Sequence, residues 1–564
     1  MPDKNAGASL SRSHRPVFPA RYIVFVLCLL LTFVSFILMF SWSGHFIWPF
    51  LVFGTLSIIG FIDTQQTRHS VLRNYPVSGH FRFLFEAIRP EIRQYFFESN
   101  QDGRPFSRER RSMVYDRAKG IEDVLPFGTE LDVYDSAYGW VNHSICPVEE
   151  NHDDLRVTIG GPDCKQPYSA SLFNISAMSF GSLSANAILA LNKGAKAGNF
   201  YHDTGEGSVS RYHREGGGDL VWELGSGYFG CRATDGTFDA EKFKKQAADP
   251  QIKMIEIKMS QGAKPGHGGV LPGPKVTEEI AEARGIPMGK DCISPASHSA
   301  YSTPLELLDF IKTLRELSDG KPVGFKLCIG HRWEFMAIVK AMLKTGIKPD
   351  FIVVDGAEGG TGAAPVEFAN RLGTPLRQGL SFVHNSLVAS GLRDDIKIGA
   401  SGKLISAFDI AGTMCLGADW GNSARGFMFA VGCIQSQSCH TNKCPTGVAT
   451  QDPKRQQALD VPDKSVRVTN FHDNTLKALR AFTAASGLKH PSEFRPEHFF
   501  VREGERQILP ASAALTWLKK GALLDEAHDI PGYSTYWTMA EAESFEPVHS
   551  LAAAKALHHH KGHH

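Results

Sequence analysis

The feature that most limits how this chain can fold is an alternation of apolar strand-like runs and helical stretches between about residues 170 and 450. Continuous apolar runs of this kind are typical of parallel strands that are covered on both faces. Five runs have this character: FNISAMSF (173–180), MIEIKMS (254–260), VGFKLCI (323–329), DFIVVDG (350–356) and IKIGASG (396–402). The stretches between them include TPLELLDFIKTLREL (303–317) and EFMAIVKAMLKTG (334–346), which have helical periodicity.

Each of these runs leads into a loop rich in Gly, Ser or Lys. This order predicts a (β/α)8 TIM barrel, whose chemistry is located on the loops that follow the strands. A doubly wound sheet is the alternative. We expect no Gly-x-Gly-x-x-Gly after any strand, which weakens the dinucleotide-binding version of that fold.

Two apolar runs near the N-terminus predict a transmembrane hairpin, with helices at about 22–41 and 46–62 within a first segment, 1–66. A cleavable signal peptide is the alternative, but a second run follows at once without a small-residue cleavage site. We expect the hairpin to anchor a cytoplasmic body in the inner (cytoplasmic) membrane by the positive-inside rule. The basic residues that flank the pair are Arg12, Arg15, Arg21, Arg68, Arg73 and Arg82.

Lys and Arg (60) nearly balance Asp and Glu (59), so no global charge favours nucleic acid as a partner. The body is predicted to comprise an N-terminal extension packed on the barrel (67–165), the barrel with its cysteine loop (166–455) and a helical C-terminal extension (456–564). The stretch 81–97 is amphipathic; it could lie along a membrane surface, but the pattern favours an ordinary packed helix. The His-rich tail (558–564) is interpreted as a tag or disordered end rather than a metal site.

Several loops have the composition of ligand-binding loops. Free backbone N–H groups at a helix N-terminus and close-approaching glycines suit a phosphate, although ordinary glycine turns remain the alternative. The phosphate candidates are Ser401, Gly402, Arg425 and Gly426; Gly359, Gly360 and Thr361 form a second Gly-rich loop, and Met178, Ser179 and Gly181 end the first strand. Lys326 lies within an apolar strand and needs a partner, either a flavin with negative charge at N1 or a structural ion pair.

Three cysteines, Cys433, Cys439 and Cys444, lie within twelve residues, with His440 beside the second. Ten cysteines in 564 residues is not the density of a disulfide scaffold, and a cytoplasmic body favours reduced thiols. Three thiolates suit an iron–sulfur cluster, whereas three thiolates with His440 suit Zn²⁺.

Taken together, the motifs resemble the FMN-binding synthase part of glutamate synthase, in its stand-alone, membrane-anchored form. The similarity covers about residues 165–455, and its motifs occur in the order of that family. They are SAMSFGSLS (176–184), GEG (205–207), QGAKPGHGGVLPGPKV (261–276), DGAEGGTGAAP (355–365) and CIQSQSCHTNKCPTGVAT (433–450).

The resemblance implies an FMN-dependent barrel and a 3Fe–4S cluster on Cys433, Cys439 and Cys444. It also implies a substrate site that includes Gln261. Lys264 would bind the 2-oxo acid and its imine, and Arg284 would clamp a substrate carboxylate, unless it is a surface residue. Glu206 matches an active-site glutamate near the flavin, with a solvated loop carboxylate as the alternative.

Two positions depart from the family pattern. Where the multidomain enzymes usually have Glu and Gln, this chain has His267 and Val270. Loss of a hydrogen-bonding Gln would alter recognition of a dicarboxylate, and His267 replaces an anion with a group that titrates near neutrality. The substrate-site candidates are therefore Gln261, Lys264, Arg284 and His267.

The sequence begins Met1-Pro2-Asp3 without a glutaminase cysteine, and we expect no NAD(P)- or FAD-binding fingerprint. We therefore expect free ammonia as substrate and an external electron donor, either ferredoxin or a reductase protein. The resemblance implies reduction of the imine of a 2-oxo acid, with 2-oxoglutarate and ammonia giving glutamate. The alternatives are a flavin oxidoreductase for a different substrate and a non-catalytic, membrane-tethered redox module.

Overall fold

The computed structural model describes residues 20–136, 138–504, 507–525 and 529–561. The chain forms two compact units, Met1–Pro105 and Phe106–His564. The boundary between the two units lies within the predicted extension 67–165. Arg12, Arg15 and the last three residues of the His-rich tail lie outside the described residues.

The first unit contains the two predicted apolar helices, both long and apolar enough to cross a membrane. A hydrogen bond of 3.1 Å between the hydroxyls of Thr32 and Ser57 joins the two helices. Gly60 lies against the Phe25 ring, where a Cβ would not fit. Small residues at such positions let two apolar helices approach closely. The helices of this unit are α1 (Ile23–Ser41), α2 (Ile47–Gln65), α3 (Ser70–Asn74) and α4 (Gly79–Ile92), and α4 continues into a π-helical turn at Arg93–Phe97.

The second unit is built on a closed barrel of eight parallel strands, which confirms the predicted TIM barrel. The last strand pairs with the first, with Gly421 opposite Phe173, and this pairing closes the sheet. The strands are β1 (Phe173–Ile175), β2 (His202–Asp203), β3 (Leu220–Leu224), β4 (Ile252–Lys258), β5 (Val323–Leu327), β6 (Phe351–Asp355), β7 (Lys397–Ser401) and β8 (Trp420–Ser423).

All five strand runs predicted from the sequence lie in the barrel. The sequence also indicates a short strand that runs into Ser423, and this strand is β8. Neither β2, which has only two residues, nor β3 was predicted. A Gly-x-Gly-x-x-Gly pattern, 225–230, does follow β3, but it leads into an irregular loop and the next helix begins only at Ala240. It therefore lacks the strand–turn–helix context of a dinucleotide-binding site.

Helices cover the barrel, and their ends follow from the local sequence. The helix over 304–317, for example, starts with a capping box in which Thr303 and Glu306 satisfy each other's backbone N–H groups, and Pro304 occupies its first turn. The helices are α5 (Arg108–Lys119), α6 (Ala185–Ala197), α7 (Arg211–Gly216), α8 (Ala240–Ala247), α9 (Glu278–Arg284), α10 (Pro304–Leu317), α11 (Arg332–Thr345), α12 (Val366–Arg371), α13 (Leu376–Ala389), α14 (Ala407–Cys415), α15 (Arg425–Ala430), α16 (Pro453–Gln457), α17 (Val461–Ala485), α18 (Ala511–Ala514), α19 (Ser534–Met539) and α20 (Leu551–Lys561).

The C-terminal region is more mixed than predicted. It begins with the long helix α17, but Phe499–Glu503 and Gln507–Pro510 form strands that join Gly139–Val141 in a three-stranded sheet. The remaining strands form two small antiparallel pairs: Arg156–Ile159 with Tyr168–Ser171, and Val270–Leu271 with Cys292–Ile293.

Candidate active site

The predicted site residues lie mainly on loops that follow the barrel strands, at one end of the barrel. The loop after β1 and the loop after β2 touch, because a Cβ on Gly205 would lie 2.7 Å from Ser179 N. Gly205 has φ +63°, a left-handed conformation that glycine adopts without strain. Within the first loop, the Ser179 hydroxyl donates to Ser182 Oγ at 2.9 Å. Met178 is buried beside these serines.

An ion-paired group occupies the centre of this end. Lys258, the last residue of β4, places Nζ 3.2 Å from Glu206 Oε1 and 3.2 Å from Gln261 Oε1. The other end of the Gln261 amide donates to Gly360 O at 2.9 Å, which connects this loop to the one after β6. Gly269 passes so close to the Glu206 carboxylate that no Cβ would fit.

Glu206 is therefore not a solvated loop carboxylate. Burial raises its pKa, but Lys258, with smaller contributions from Arg284 and Lys264, lowers it below the ordinary value. The carboxylate is held ionised among cations. An ionised carboxylate in this position can stabilise a positive charge that develops on a bound substrate.

Lys264 is also buried, and its Nζ donates to Ala363 O at 3.2 Å. Burial, with repulsion from Lys258, lowers the pKa of Lys264 to about 8. A lysine with such a pKa can hold or release a proton near neutral pH, which makes it suited both to binding an anion and to proton transfer.

Arg284 ends α9 and is buried, so it is not a surface arginine. Its Nη2 donates to Phe180 O at 3.1 Å, and the guanidinium lies 5.2 Å from the centre of the Phe229 ring. Gly181 and Gly207 leave the space that the guanidinium fills.

Of the two residues that depart from the family pattern, His267 lies beside this group. His267 lines a cleft together with Glu206, Lys258 and Gln261. Its Nδ1 donates to Gly268 O at 2.8 Å, and its ring packs on Phe368. Val270 begins the short strand that pairs with Cys292–Ile293.

The loops after β6, β7 and β8 bring together the predicted phosphate residues. Arg425 Nη2 donates to Glu358 O at 2.7 Å, and the missing Cβ of Gly360 makes room for its side chain. Burial lowers the pKa of Arg425 to about 10, still high enough to keep it cationic at neutral pH. The flanking residues are Gly359, Thr361, Ser401, Gly402 and Gly426; Thr361 donates to Ala363 O at 3.4 Å, Ser401 ends β7, and a Cβ on Gly426 would clash with Ser423.

Lys326 lies inside the barrel, where Glu223, Glu256 and Asp203 surround its ammonium. Burial would lower the pKa of Lys326, but the three carboxylates raise it well above its ordinary value. These contacts are those of a structural ion pair, one of the two partners predicted for Lys326. A role for Lys326 beside a flavin stays a prediction.

The three cysteines lie on the loop that follows α15. Gln435 N donates to Cys433 Sγ at 3.4 Å, and Cys444 Sγ lies 3.6 Å from Thr446 Oγ1. His440 is exposed.

Three residues with central contacts were not singled out from the sequence. Lys258 ends β4, Asp355 ends β6 and accepts from Gly262 N at 2.7 Å, and Lys275 lies in a buried turn. Lys275 Nζ donates to the carbonyls of Ser182 (2.7 Å), Cys439 (3.3 Å) and Ala449 (3.4 Å). The sequence did contain a signal for these residues. Lys258 and Asp355 are charged residues at the ends of buried strands, and Lys275 is a charged residue within a motif rich in Gly and Pro.

The family model for the conserved region in glutamate synthase matches residues 152–489. The glutamate synthase large subunit-like protein YerD of Bacillus subtilis is 40% identical over 489 residues, which are 79% of this chain and 92% of that protein. The archaeal-type glutamate synthase (NADPH) of Thermotoga neapolitana is 36% identical over 296 residues, which are 52% of this chain and 55% of that protein. Among solved structures, a mutant flavocytochrome b2 with pyruvate bound aligns over 80% of this chain and 91% of that chain, with a TM-score of 0.38 and 11% identity. The chain therefore belongs to the glutamate synthase family and is an oxidoreductase of the class that acts on CH–NH2 donors.

Proposed function

We propose that this protein is an FMN- and iron–sulfur-dependent oxidoreductase that reduces the imine of a 2-oxo acid, with electrons from an external donor. The substrates are 2-oxoglutarate and ammonia, and the product is glutamate. The observation that carries the proposal is the Glu206–Lys258–Gln261 group, with Lys264 nearby, at the carboxyl ends of the strands in a chain of this family.

Each side chain has a role that follows from its charge and surroundings. Lys264 and Arg284 bind the substrate carboxylates, and the planar guanidinium suits a bidentate contact. The protonated imine is a cation, and ionised Glu206 stabilises it by electrostatic attraction. Lys258 orients Glu206 and Gln261 through its two contacts of 3.2 Å.

The loops after β6, β7 and β8 fit FMN. Arg425 provides a buried cation for the phosphate, and glycines at 360 and 402 leave room for close backbone approach. Bound FMN supplies the hydride for imine reduction.

The cysteine loop fits an iron–sulfur cluster better than zinc. The exposure of His440 supports this choice, as does the backbone N–H donated to Cys433 Sγ. A cluster on Cys433, Cys439 and Cys444 supplies single-electron transfer.

The test is an anaerobic half-reaction. The purified protein is reduced until the flavin absorbance is lost, and 2-oxoglutarate and ammonium are then added together. We expect reoxidation of the flavin with one glutamate formed per flavin, measured by mass spectrometry, and no reoxidation when either substrate is omitted. A flavin that stays reduced with both substrates would contradict the proposed reaction.

A different 2-oxo or imino acid is the second candidate. The observation that favours it is the position of His267 in the cleft beside Glu206, where the multidomain relatives usually have an anion. If 2-oxoglutarate fails in the half-reaction, prompt reoxidation by another 2-oxo or imino acid would support this candidate.

We further propose that α1 and α2 span the inner membrane, with the body in the cytoplasm. Their length, their exposed apolar side chains and the basic residues Arg68, Arg73 and Arg82 after α2 support this orientation.

The protein should therefore stay in the membrane pellet after alkaline carbonate washing. Replacing both Leu30 and Phe33 in α1 by arginine should release a large fraction of it, because each charge within a span costs about 3 kcal/mol. Immunoblotting of pellet and supernatant measures this, with a cytoplasmic enzyme as the control. Recovery of the unaltered protein in the supernatant without detergent would contradict the anchor.

A further inference from the structure

Helix α4 carries an exposed apolar face. Phe81, Leu84, Phe85 and Ile88 follow the i, i+3, i+4, i+7 spacing that places side chains on one side of a helix. Their exposed fractions are 60%, 52%, 60% and 38%. The packed-helix interpretation of 81–97 does not hold for this face.

The apolar surface continues beyond the helix. Tyr95, Phe96 and Phe97, in the turn that follows α4, are also exposed, the two phenylalanines by more than three quarters. The surfaces of soluble proteins rarely carry an apolar patch made of so many large side chains. Such patches mark sites that contact a membrane or another molecule.

The other sides of α4 differ in character. Phe83 packs edge-on against the His69 ring, 5.4 Å away. Arg82 and Glu86 form an exposed ion pair at 3.0 Å, and Arg89 is exposed. The helix therefore has an apolar exposed face and a charged exposed face.

The start of α4 is fixed to the end of the hairpin. Asp63, in the last turn of α2, is buried and accepts from Val77 N at 2.9 Å and from His80 Nε2 at 3.0 Å. Val77 also packs against Gly60, as does Phe25 from the start of α1. These contacts hold the first turn of α4 at the end of the hairpin where α1 begins and α2 ends.

We propose that α4 and the aromatic turn after it form an interface helix that lies in the plane of the membrane, with Phe81, Leu84, Phe85 and Ile88 immersed at the boundary between headgroups and acyl chains. This inference rests on the proposed membrane anchor. A lipid surface is the occupant because the face begins where the spans end, at the depth at which a membrane has its apolar boundary.

The charges agree with this placement. Residues 66–98 contain five arginines and three glutamates, and Arg82, Arg89 and Arg93 lie along α4 and the turn after it. Arginines beside an immersed apolar face reach the phosphates of lipid headgroups, and anionic lipids strengthen the attraction.

The test uses the full chain with a diazirine-bearing phenylalanine analogue at one position at a time, reconstituted in phosphatidylcholine vesicles with or without phosphatidylglycerol. The position on the apolar face is Phe85, with Phe81 as a second position in case substitution at Phe85 prevents folding. Glu86 is the matched control, since it is exposed on the charged side of the same helix. Phe33, 64% exposed in α1, reports on the span itself.

After illumination, lipid adducts are counted by mass spectrometry. We expect a yield at Phe85 about fivefold or more above that at Glu86 and of the same order as that at Phe33, with a higher yield at Phe85 when anionic lipid is present. Adducts at Phe33 but not at Phe85 or Phe81 would overturn the interface helix and leave the anchor standing. Absence of lipid adducts at all positions would overturn both, and protein–protein adducts at Phe85 would show that another chain covers the face.

Discussion

Replacing Lys264 by alanine is expected to lower the rate of 2-oxo acid-dependent flavin reoxidation by about 10²–10³-fold, because a preorganised cation is removed from the reacting group. Rapid mixing of the reduced variant with 2-oxoglutarate and ammonium measures this. FMN content should change little, since Lys264 lies on the loop after β4 and its hydrogen bond to Ala363 O does not involve the predicted phosphate residues Ser401, Gly402 and Arg425. Lys290→Ala, at an exposed lysine of the same region, is the matched control.

The same variant should fold at least as well as the unaltered protein. The pKa of Lys264 in the folded protein, about 8, is below its ordinary value of 10.5, so the buried ammonium destabilises the fold at pH 7. That cost decreases as the pH rises from about 8 to 10.5, and alanine removes it. Thermal unfolding at pH 7 checks this; a clear loss of stability would mean that the side chain is structural.

The pH dependence of the KM for the 2-oxo acid tests the role of Lys264 independently. Above pH about 8 the unaltered protein loses the Lys264 charge, so the KM for the 2-oxo acid should rise. Lys264→Arg should keep its charge and remove this rise. A KM that stays constant to pH 9 in the unaltered protein would exclude Lys264 from carboxylate binding.

Replacing Cys439 by serine is expected to lower the iron content by about tenfold or more, because a three-cysteine site loses a third of its thiolates. Iron analysis and the visible absorbance of the cluster measure this. Electron transfer from an external donor to the flavin should fail, whereas chemical reduction of the flavin should still occur.

Cys146→Ser is the matched control, since Cys146 is exposed and lies outside the cysteine loop. Full iron content in the Cys439 variant would contradict the ligand assignment. Zinc in place of iron in the unaltered protein, purified without oxygen, would favour the alternative with His440.

Much of the barrel could be predicted because its strands are buried on both faces and therefore read as apolar runs. The two missed strands show the limit of that signal. β2 consists of His202 and Asp203, both polar and fully enclosed, and β3 contains Glu223, which points to Lys326. β2 therefore has no apolar pattern, whereas β3 is apolar except for Glu223 and gives only a five-residue run between Gly-rich segments.

The candidate site also divides into residues that local sequence reveals and residues that only tertiary contacts reveal. The loops with Gly, Ser and Cys were found from composition and motif order, which are local properties. The roles of Lys258 and Asp355 depend on contacts with Glu206 and Gly262, and these pairings exist only once the barrel has closed. The exposed face of α4 was misjudged for a similar reason, since periodicity reveals an apolar face but not what covers it.

Lys275 limits how this protein could be re-engineered. Its ammonium joins the carbonyls of Ser182, Cys439 and Ala449, which belong to the loop after β1 and to the cysteine-rich segment, while Lys275 itself comes from the region after β4. A graft of residues 433–450 alone onto another barrel would lose the hydrogen bonds that Lys275 donates. Transplanting the redox loop therefore requires three separate segments to be moved together, with their spacing preserved to a few tenths of an ångström.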